Sequence, residues 1–254
     1  MGAGRAGPRG GISGAGVRGE AAGAARPGES AGADPPGEVT GPELPGEVAE
    51  AARVLARLGL VTSFGHVSAR AGTSMLITPA ADLATVTEAS LVEVPLTATA
   101  LPPHAPAEAW AHLALYRARP DAAAIARAQP PAAFAAAAVT SELLPLHGQA
   151  AWLGESVPVH DRATLLRSPD LAGPAARALP TGEALLLRGN GALTLGDTPG
   201  LAVTRMWLLA VACEVFLAAR AAGPVTPLTG DEIAAWRVAG AGLLPRLWQH
   251  LRDR

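Results

Sequence analysis

The spacing of apolar residues predicts that ordered structure begins near Glu43 and then alternates between helices and short strands. In the first segment, apolar side chains recur at helical spacing and share one face. They are Val48, Ala51, Ala52, Leu55 and Leu58. Gly59 follows them as a helix terminator, so a first amphipathic helix is expected here.

Turn residues divide the rest of the chain into further elements. Strands are predicted at 66–69, 74–78, 91–94 and 122–128. Helices are predicted from about residue 108 to Arg117, at 130–138, after a cap at Asp161, and at 199–222. Residues 184–196 have the pattern of a hairpin with Asn190 and Gly191 at its turn. Such an alternation is typical of a three-layer α/β domain.

The two ends of the chain differ from this central part. Residues 1–42 are rich in Gly, Ala and Pro with almost no large apolar side chain, so a disordered tail is predicted there. Residues 226–254 are predicted to form a C-terminal helical extension. Its apolar side chains can pack on the domain or on a neighbouring subunit: Ile233, Trp236, Leu243, Leu247 and Trp248.

Composition narrows the class of protein. The 254 residues carry a net charge of -2, which offers no basic surface for nucleic acid or an anionic membrane. The single cysteine, Cys213, lies in an apolar run and is expected to be a buried thiol in a reducing cytoplasm. The most apolar segment, 201–222, is interrupted by Arg205 and Glu214, which indicates a buried helix rather than a membrane span. The chain has no lysine, so Schiff-base chemistry through a side-chain amine is excluded.

Five short motifs in a fixed order carry a family resemblance. They are GHVSAR at 65–70, ITPAA at 77–81, Glu108 and His112 leading into LYRARPD at 115–121, IARAQP at 125–130, and LLRGNG at 186–191. In order and spacing over residues 52–223 they resemble the class II aldolase and adducin superfamily. The resemblance implies an α/β/α domain over residues 43–225 with a central, mainly antiparallel sheet. It also implies a homotetramer with sites between subunits.

The same motifs depart from the family at its metal site. In the family, two histidines of an H-x-H strand and one of the hairpin hold a divalent metal, usually zinc. Arg127, Gln129 and Asn190 stand at those positions. A guanidinium has no lone pair to give, and amide oxygens are weak ligands for zinc, so neither the family's metal nor another cofactor is expected. Ala80 and Ala81 replace the family's Ser-Gly, which makes a phosphorylated sugar a poor candidate substrate.

The residues that remain suggest enolate chemistry without a metal. We expect Arg127 to replace the metal as a fixed positive charge, Glu108 to act as general acid/base, and His66 to be a second proton carrier. Gln129 and Asn190 are expected to orient the substrate. Ser68 and Thr78, in the first two motifs, are also assigned to substrate binding. Such a site suits a lyase, decarboxylase, dehydratase or cyclase that acts on a small carbonyl or hydroxy acid, with specialised metabolism as a plausible setting.

Several other interpretations of these residues stay open. Asn190 has a simpler explanation as an Asn-Gly turn residue, and Arg127 as a structural ion-pair partner of Glu108. His112 is expected to make a structural hydrogen bond. A replacement metal site formed by His66, Glu108 and His112 is a weaker alternative.

The rival function is a catalytically inactive, adducin-like scaffold or partner-binding protein. An enzyme should keep a polar cleft that is open to solvent around Glu108 and Arg127, whereas a scaffold could fill that space with apolar side chains. The shape of this region therefore discriminates between the two functions.

Overall fold

The computed structural model describes residues 43–61 and 63–254, together with Met1 and Gly41. The disordered tail predicted for residues 1–42 lies, apart from those two residues, outside the described part of the chain. All elements below belong to one compact unit.

The described residues form one eight-stranded sheet. Its strands are β1 His66–Ala71, β2 Ser74–Ile77, β3 Val92–Pro95, β4 Ala124–Ala128, β5 Glu142–Leu143, β6 Val157–His160, β7 Ala184–Leu187 and β8 Gly191–Gly196. The strand order is β3-β2-β1-β4-β8-β7-β6-β5, and every neighbouring pair is antiparallel except β6 and β7. The predicted central, mainly antiparallel sheet is confirmed.

The described residues also form six α-helices, of which the first five cover the two faces of this sheet. They are α1 Leu44–Arg57, α2 Ala109–Ala118, α3 Pro131–Val139, α4 Pro169–Arg177, α5 Pro199–Ala222 and α6 Gly230–Arg252. One buried apolar cluster joins the sheet to α1, α3 and α5, and a second joins its opposite face to α2 and α4. The three-layer α/β/α architecture expected from the sequence is therefore present.

Strand β4 shows how the sequence assigns side chains to the two faces. Ala124, Ala126 and Ala128 point to the α1, α3 and α5 layer, where small side chains let α5 approach the sheet closely. The alternate residues, Ile125 and Arg127, therefore point to the α2 and α4 face. A guanidinium is thus placed on the apolar face of an inner strand of the sheet.

The helix predicted after a cap at Asp161 is wrong in its position. Residues 161–168 form an irregular segment, and α4 begins at Pro169. Ser168 is its N-cap and accepts a hydrogen bond from the Leu171 backbone N–H, while proline at the first turn fixes the helical backbone. The Asp161 carboxylate instead pairs with Arg188 at 2.8 Å. Strands β5 and β6 were also not predicted.

Helix α5 explains the most apolar segment of the chain. It is long and apolar enough to cross a membrane, but 61% of its most apolar window is buried in the fold. Helix α6 packs on the same unit, against α5 and the 3-10 helix Gly148–Leu153. There the Trp152 indole Nε1 donates a 2.6 Å hydrogen bond to the carbonyl of Trp236. The predicted boundary between domain and extension stays a prediction.

Candidate active site

Three elements bring the sequence-predicted residues together at one end of the sheet. Strands β1 and β4 pair in a register that sets His66 directly opposite Arg127. Arg127 shares the face of Ile125, which lies two residues before it on β4, and directly opposite residues on paired strands point to the same face. Both side chains therefore lie on the face covered by α2. Glu108 is the N-cap residue of α2, so its side chain lies at the start of that helix, beside the paired strands. The predicted catalytic residues are therefore neighbours in space.

The Arg127 side chain is buried with few partners. It is 1% exposed, and its Nη2 donates a 2.6 Å hydrogen bond to Asn190 Oδ1. Its Nε has no hydrogen-bond partner among the described residues. None of the ion pairs in the described part of the chain includes Arg127. Burial lowers the pKa of Arg127, yet a guanidinium stays protonated at any working pH. The site thus contains a fixed positive charge without a contacting carboxylate.

The direct partner of Glu108 is Arg167, a residue that the sequence did not indicate. Arg167 Nε donates a 2.8 Å hydrogen bond to Glu108 Oε1. Burial raises the pKa of the Glu108 carboxyl, but this hydrogen bond and the charges of Arg127 and Arg167 outweigh it and hold the pKa below its usual value. Glu108 is therefore ionised near neutral pH. The proposed structural ion pair between Glu108 and Arg127 is corrected to one with Arg167.

His66 is a neutral imidazole in this setting. Burial, and then the charge of Arg127, lower its pKa to about 4. Its Nε2 lies 3.9 Å from Glu108 Oε2, and its Nδ1 is buried without a partner in the described part of the chain. The expectation that His66 titrates near neutrality is therefore wrong. It can accept a proton or exchange hydrogen bonds, but it does not enter the reaction as an imidazolium.

A cavity of about 710 Å³ opens onto these groups. Seven of its eleven lining residues are polar or charged, and two of the apolar ones, Phe64 and Leu165, are 62% and 47% exposed and so lie near its opening. The lining residues are Ser63, Phe64, His66, Ala80, Ala81, Asp82, Glu108, Arg127, Gln129, Leu165 and Arg167. The space around Glu108 and Arg127 is thus an open cleft that combines charged and apolar side chains, as expected of a protein that binds a small molecule.

The β7–β8 hairpin holds Asn190 in a supporting position. The positive-φ residues of this turn are Gly189 and Gly191, at 67° and 81°, and not Asn190. Asn190 therefore lies in the turn predicted for it, without taking either of its left-handed positions. Its amide nitrogen donates to the Thr164 carbonyl at 3.0 Å, while its oxygen accepts from Arg127 and, at 3.4 Å, from Gln129. Asn190 does not line the cavity, so the substrate contact predicted for it is corrected to a role in holding Arg127.

Two predicted substrate-binding residues also lie away from the cavity. Ser68 and Thr78 are fully buried. The Ser68 hydroxyl is hydrogen-bonded to His112 Nδ1 at 2.7 Å and to the Tyr116 hydroxyl at 2.9 Å. The Thr78 hydroxyl accepts from the Val67 backbone N–H at 3.2 Å. Both residues hold β1 in place, and the structural hydrogen bond expected of His112 is present.

The metal-binding alternatives do not fit these side chains. At the three positions where the resemblance places the family's histidines, Arg127 has no lone pair, and Gln129 and Asn190 offer only amide groups, of which Asn190 Oδ1 already accepts two hydrogen bonds. Among residues 43–61 and 63–254, no three His, Cys, Asp or Glu side chains converge as ligands, so His66, Glu108 and His112 do not form a replacement site. The residues present do not fit the family's zinc.

Arg167 lies in the irregular segment before α4, which explains why sequence reasoning missed it. Leu166 is buried and anchors this segment, and its neighbours Leu165 and Arg167 remain half-exposed and line the cavity. The only available signal was the alternation of an apolar residue with exposed neighbours. That alternation is common in loops and points to no particular function.

Comparison with known proteins identifies relatives of this chain. A 3,4-dihydroxyphthalate decarboxylase from Terrabacter is 29% identical over 224 residues, which is 80% of this chain and 93% of that protein. Rat alpha-adducin is 35% identical over 105 residues, 41% of this chain but 14% of adducin. The crystal structure of L-fuculose-1-phosphate aldolase from Thermus thermophilus superposes with a TM-score of 0.65 at 30% identity, covering 72% of this chain and 98% of the aldolase. The model of the class II aldolase and adducin N-terminal domain matches residues 46–217, and this chain belongs to that family.

Proposed function

We propose that this protein is a lyase that breaks a carbon–carbon or carbon–oxygen bond next to a carbonyl, using a guanidinium where its relatives use a metal. The substrate is a small carbonyl compound or hydroxy acid. The single observation that carries this proposal is the state of Arg127: it is buried, hydrogen-bonded to Asn190, unpaired with any described carboxylate, and open to the cavity beside Glu108.

Arg127 is suited to stabilise negative charge that develops during the reaction. A buried charge without a counterion is costly, and an anion in the cavity would offset that cost. Its position is fixed by the hydrogen bond that it donates to Asn190 in the hairpin, and not by the substrate, so little reorganisation is needed when an enolate oxygen forms. Charge-assisted hydrogen bonds from a guanidinium to such an oxygen are among the strongest that a protein makes.

Glu108 accepts and returns the proton. Because its pKa is lowered, it begins the reaction as an ionised carboxylate. In retro-aldol cleavage, the ionised carboxylate takes the proton of the substrate's hydroxyl group, and the adjacent carbon–carbon bond breaks. The electron pair of that bond moves into an enolate whose oxygen faces Arg127. Glu108 then returns the proton to the enolate carbon, which restores the starting state. In decarboxylation, the bond to the carboxylate breaks instead, carbon dioxide leaves, and solvent supplies the proton to carbon.

The relative named as a decarboxylase supports lyase chemistry on this scaffold, and it suggests the first compound to test. We would incubate the purified full-length protein with 3,4-dihydroxyphthalate and with a panel of 4-hydroxy-2-oxo acids. Carbon dioxide and carbonyl products would be measured, and the metal content of the same preparation determined by mass spectrometry. Activity that survives chelator treatment, in protein without stoichiometric metal, is the expected result.

Two variants and one control connect any turnover with the site. Arg127→Gln should lower kcat by roughly 10²–10³-fold, as loss of an oxyanion donor does, and Glu108→Gln by roughly 10²–10⁴-fold, as loss of a general acid/base does. Arg252→Gln removes an arginine that pairs with Glu50 on the outer surface, and should leave kcat unchanged. Turnover that persists in both site variants, or that requires added zinc, would contradict the proposal.

An adducin-like scaffold is the weaker candidate. The cleft around Glu108 and Arg127 is open and carries charged side chains instead of being filled by apolar ones, and this arrangement favours a protein that binds a small molecule.

A further inference from the structure

Arg167 carries a second guanidinium at the same cavity, and it differs from Arg127 in its exposure to solvent and in its hydrogen-bond partner. Its side chain is 51% exposed, whereas that of Arg127 is buried. It makes one hydrogen bond, from Nε to Glu108, and its two terminal nitrogens make none with the described residues. A planar guanidinium whose terminal nitrogens are free can accept a carboxylate in a two-point contact.

The backbone around Arg167 places this side chain at the opening of the cavity. Leu166 is 1% exposed and anchors the segment in the apolar cluster between α2 and α4. Arg167 is the last residue before the α4 N-cap, and its own N–H bonds to the Leu165 carbonyl in a tight turn. The main chain is thereby fixed, while the long side chain keeps its freedom toward solvent and the cavity.

The charges that face Glu108 show what this contact does in the empty site. Arg167 donates to one carboxylate oxygen, neutral His66 lies 3.9 Å from the other, Arg127 acts from β4, and Asp82 lies across the cavity lining. Arg167 is therefore hydrogen-bonded to the carboxylate that the proposed reaction needs as its base. For Glu108 to accept a proton readily, its hydrogen bond to Arg167 has to be exchanged for another.

We propose that Arg167 binds a carboxylate group of the substrate, and that this carboxylate replaces Glu108 as its partner. This inference rests on the proposed function, and it narrows the substrate class to carboxylic acids that carry a hydroxyl or carbonyl group near the carboxylate. Phe64 and Leu165 near the opening, with Ala80 and Ala81, suit an apolar or planar carbon skeleton. Arg127 contacts the oxygen on which negative charge develops, and Arg167 contacts the carboxylate that identifies the compound.

The consequence for Glu108 is a base that the substrate activates. In the free protein, the hydrogen bond from Arg167 helps to hold the pKa of Glu108 below its usual value. When the substrate's carboxylate becomes the partner of Arg167, that hydrogen bond is lost, and burial then raises the pKa of Glu108. A ligand without a carboxylate would leave the ion pair intact and the base weak.

Binding can be tested without knowing the substrate. Salicylate, which has a hydroxyl beside its carboxylate on a planar ring, is the probe, and salicylamide is its uncharged counterpart. Calorimetry on the full-length wild-type protein should show saturable binding of salicylate and at least roughly tenfold weaker binding of salicylamide, as expected when a charged hydrogen bond is lost. Arg167→Gln should weaken salicylate binding by a similar factor, and Arg167→Lys by less. Arg252→Gln, the surface control, should bind as the wild type does.

The exchange of partners can be detected through the pKa of Glu108. Carbon-13 NMR of the glutamate side chains measures this pKa, and the Glu108→Gln variant assigns its signal. Saturating salicylate and the Arg167→Gln substitution should each raise this pKa. Equal affinity of the wild type for salicylate and salicylamide, absence of salicylate binding, or an unchanged pKa would each overturn the proposal. The comparison within the wild type holds even if Arg167→Gln does not fold.

Failure here can be told apart from failure of the proposed function. If Arg127→Gln abolishes salicylate binding while Arg167→Gln does not, the anion site at Arg127 stands and the role of Arg167 is wrong. If neither variant changes the affinity, the cavity is not the anion site and both proposals fall.

Discussion

Asn190 fixes the position of the Arg127 guanidinium: its side-chain oxygen accepts a 2.6 Å hydrogen bond from Nη2. The two residues lie 63 positions apart in sequence, one in the β7–β8 turn and the other on β4. This contact occurs between two of the positions where the family's metal ligands are expected. One amide therefore holds the charge on which the proposed chemistry depends.

Removing that amide should destabilise the fold as well as the site. Asn190→Ala leaves the buried guanidinium without its hydrogen bond, which should lower the free energy of unfolding by about 2 kcal/mol. Asn190→Asp should preserve the fold better, because a carboxylate can pair with Arg127, but it should weaken salicylate binding by neutralising one of the two positive charges at the cavity. Urea unfolding and salicylate calorimetry measure the two effects. If Asn190→Asp binds salicylate as tightly as the wild type, the assigned role of Arg127 is wrong.

The free energy of unfolding should fall as the pH drops from about 6.5 to about 4. Burial lowers the pKa of His66 to about 4 and the pKa of His112 well below its usual value, so in this range the unfolded chain binds protons that the folded protein does not. The unfolded state is therefore favoured on acidification, by roughly 3 kcal/mol for a group such as His66. Urea denaturation at several pH values measures the slope.

His66→Gln should make this pH profile flatter, while His250→Gln, at an exposed position, should leave it unchanged. A His66→Gln protein with the wild-type slope would show that His66 is not buried as a neutral group.

A second loss of stability at lower pH is expected from Glu108. Its pKa is lowered in the folded state, so the stability it contributes is present above the usual carboxyl pKa and is lost as the pH falls through the folded value.

Gly191→Ala should disrupt the hairpin that carries Asn190. At this residue φ is +81°, and an added Cβ would lie 2.2 Å from the Ala128 carbonyl oxygen, so backbone has to move. We expect a loss of about 3 kcal/mol in the free energy of unfolding. Gly72→Ala is the matched control, since its φ is +57° but nothing lies within 4 Å of the added atom, and it should cost about 1 kcal/mol. Equal losses in the two variants would show that the close approach at Gly191 is unimportant.

Ser68→Ala should affect stability and not ligand binding. The substitution removes hydrogen bonds to His112 and Tyr116 beneath the site, which should cost about 1 kcal/mol. Salicylate affinity should stay at the wild-type value, because the hydroxyl is fully buried and does not line the cavity. A large loss of affinity with unchanged stability would instead restore the substrate contact predicted from the sequence.

Much of the fold and part of the site could be predicted because short motifs fix both an element and a place along it. Glu108 at the start of α2, and Arg127 and Gln129 near the end of β4, line one cavity as the motifs indicated. The pattern could not reveal depth: Ser68 shares a face with His66 but lies two residues further along β1, under α2, where no solvent reaches.

The remaining errors share a different cause. Arg167 and the true α4 cap, Ser168, lie in an irregular segment where no periodicity indicates which side chain turns inward. Asn190 lies in the predicted Asn-Gly turn, but the sequence could not show that its side chain also contacts Arg127 and Thr164, because these residues are distant in the chain. The predicted homotetramer stays a prediction.

Strand β4 limits how this protein can change over evolution. Its alternation sends alanines to one side of the sheet and Arg127 to the other. Deleting or inserting one residue before Arg127 within the strand would reverse the sides, forcing a guanidinium against α5 and leaving an alanine methyl group beside Glu108. The strand can therefore exchange one residue for another at a given position, but it cannot change length without losing both the core and the site.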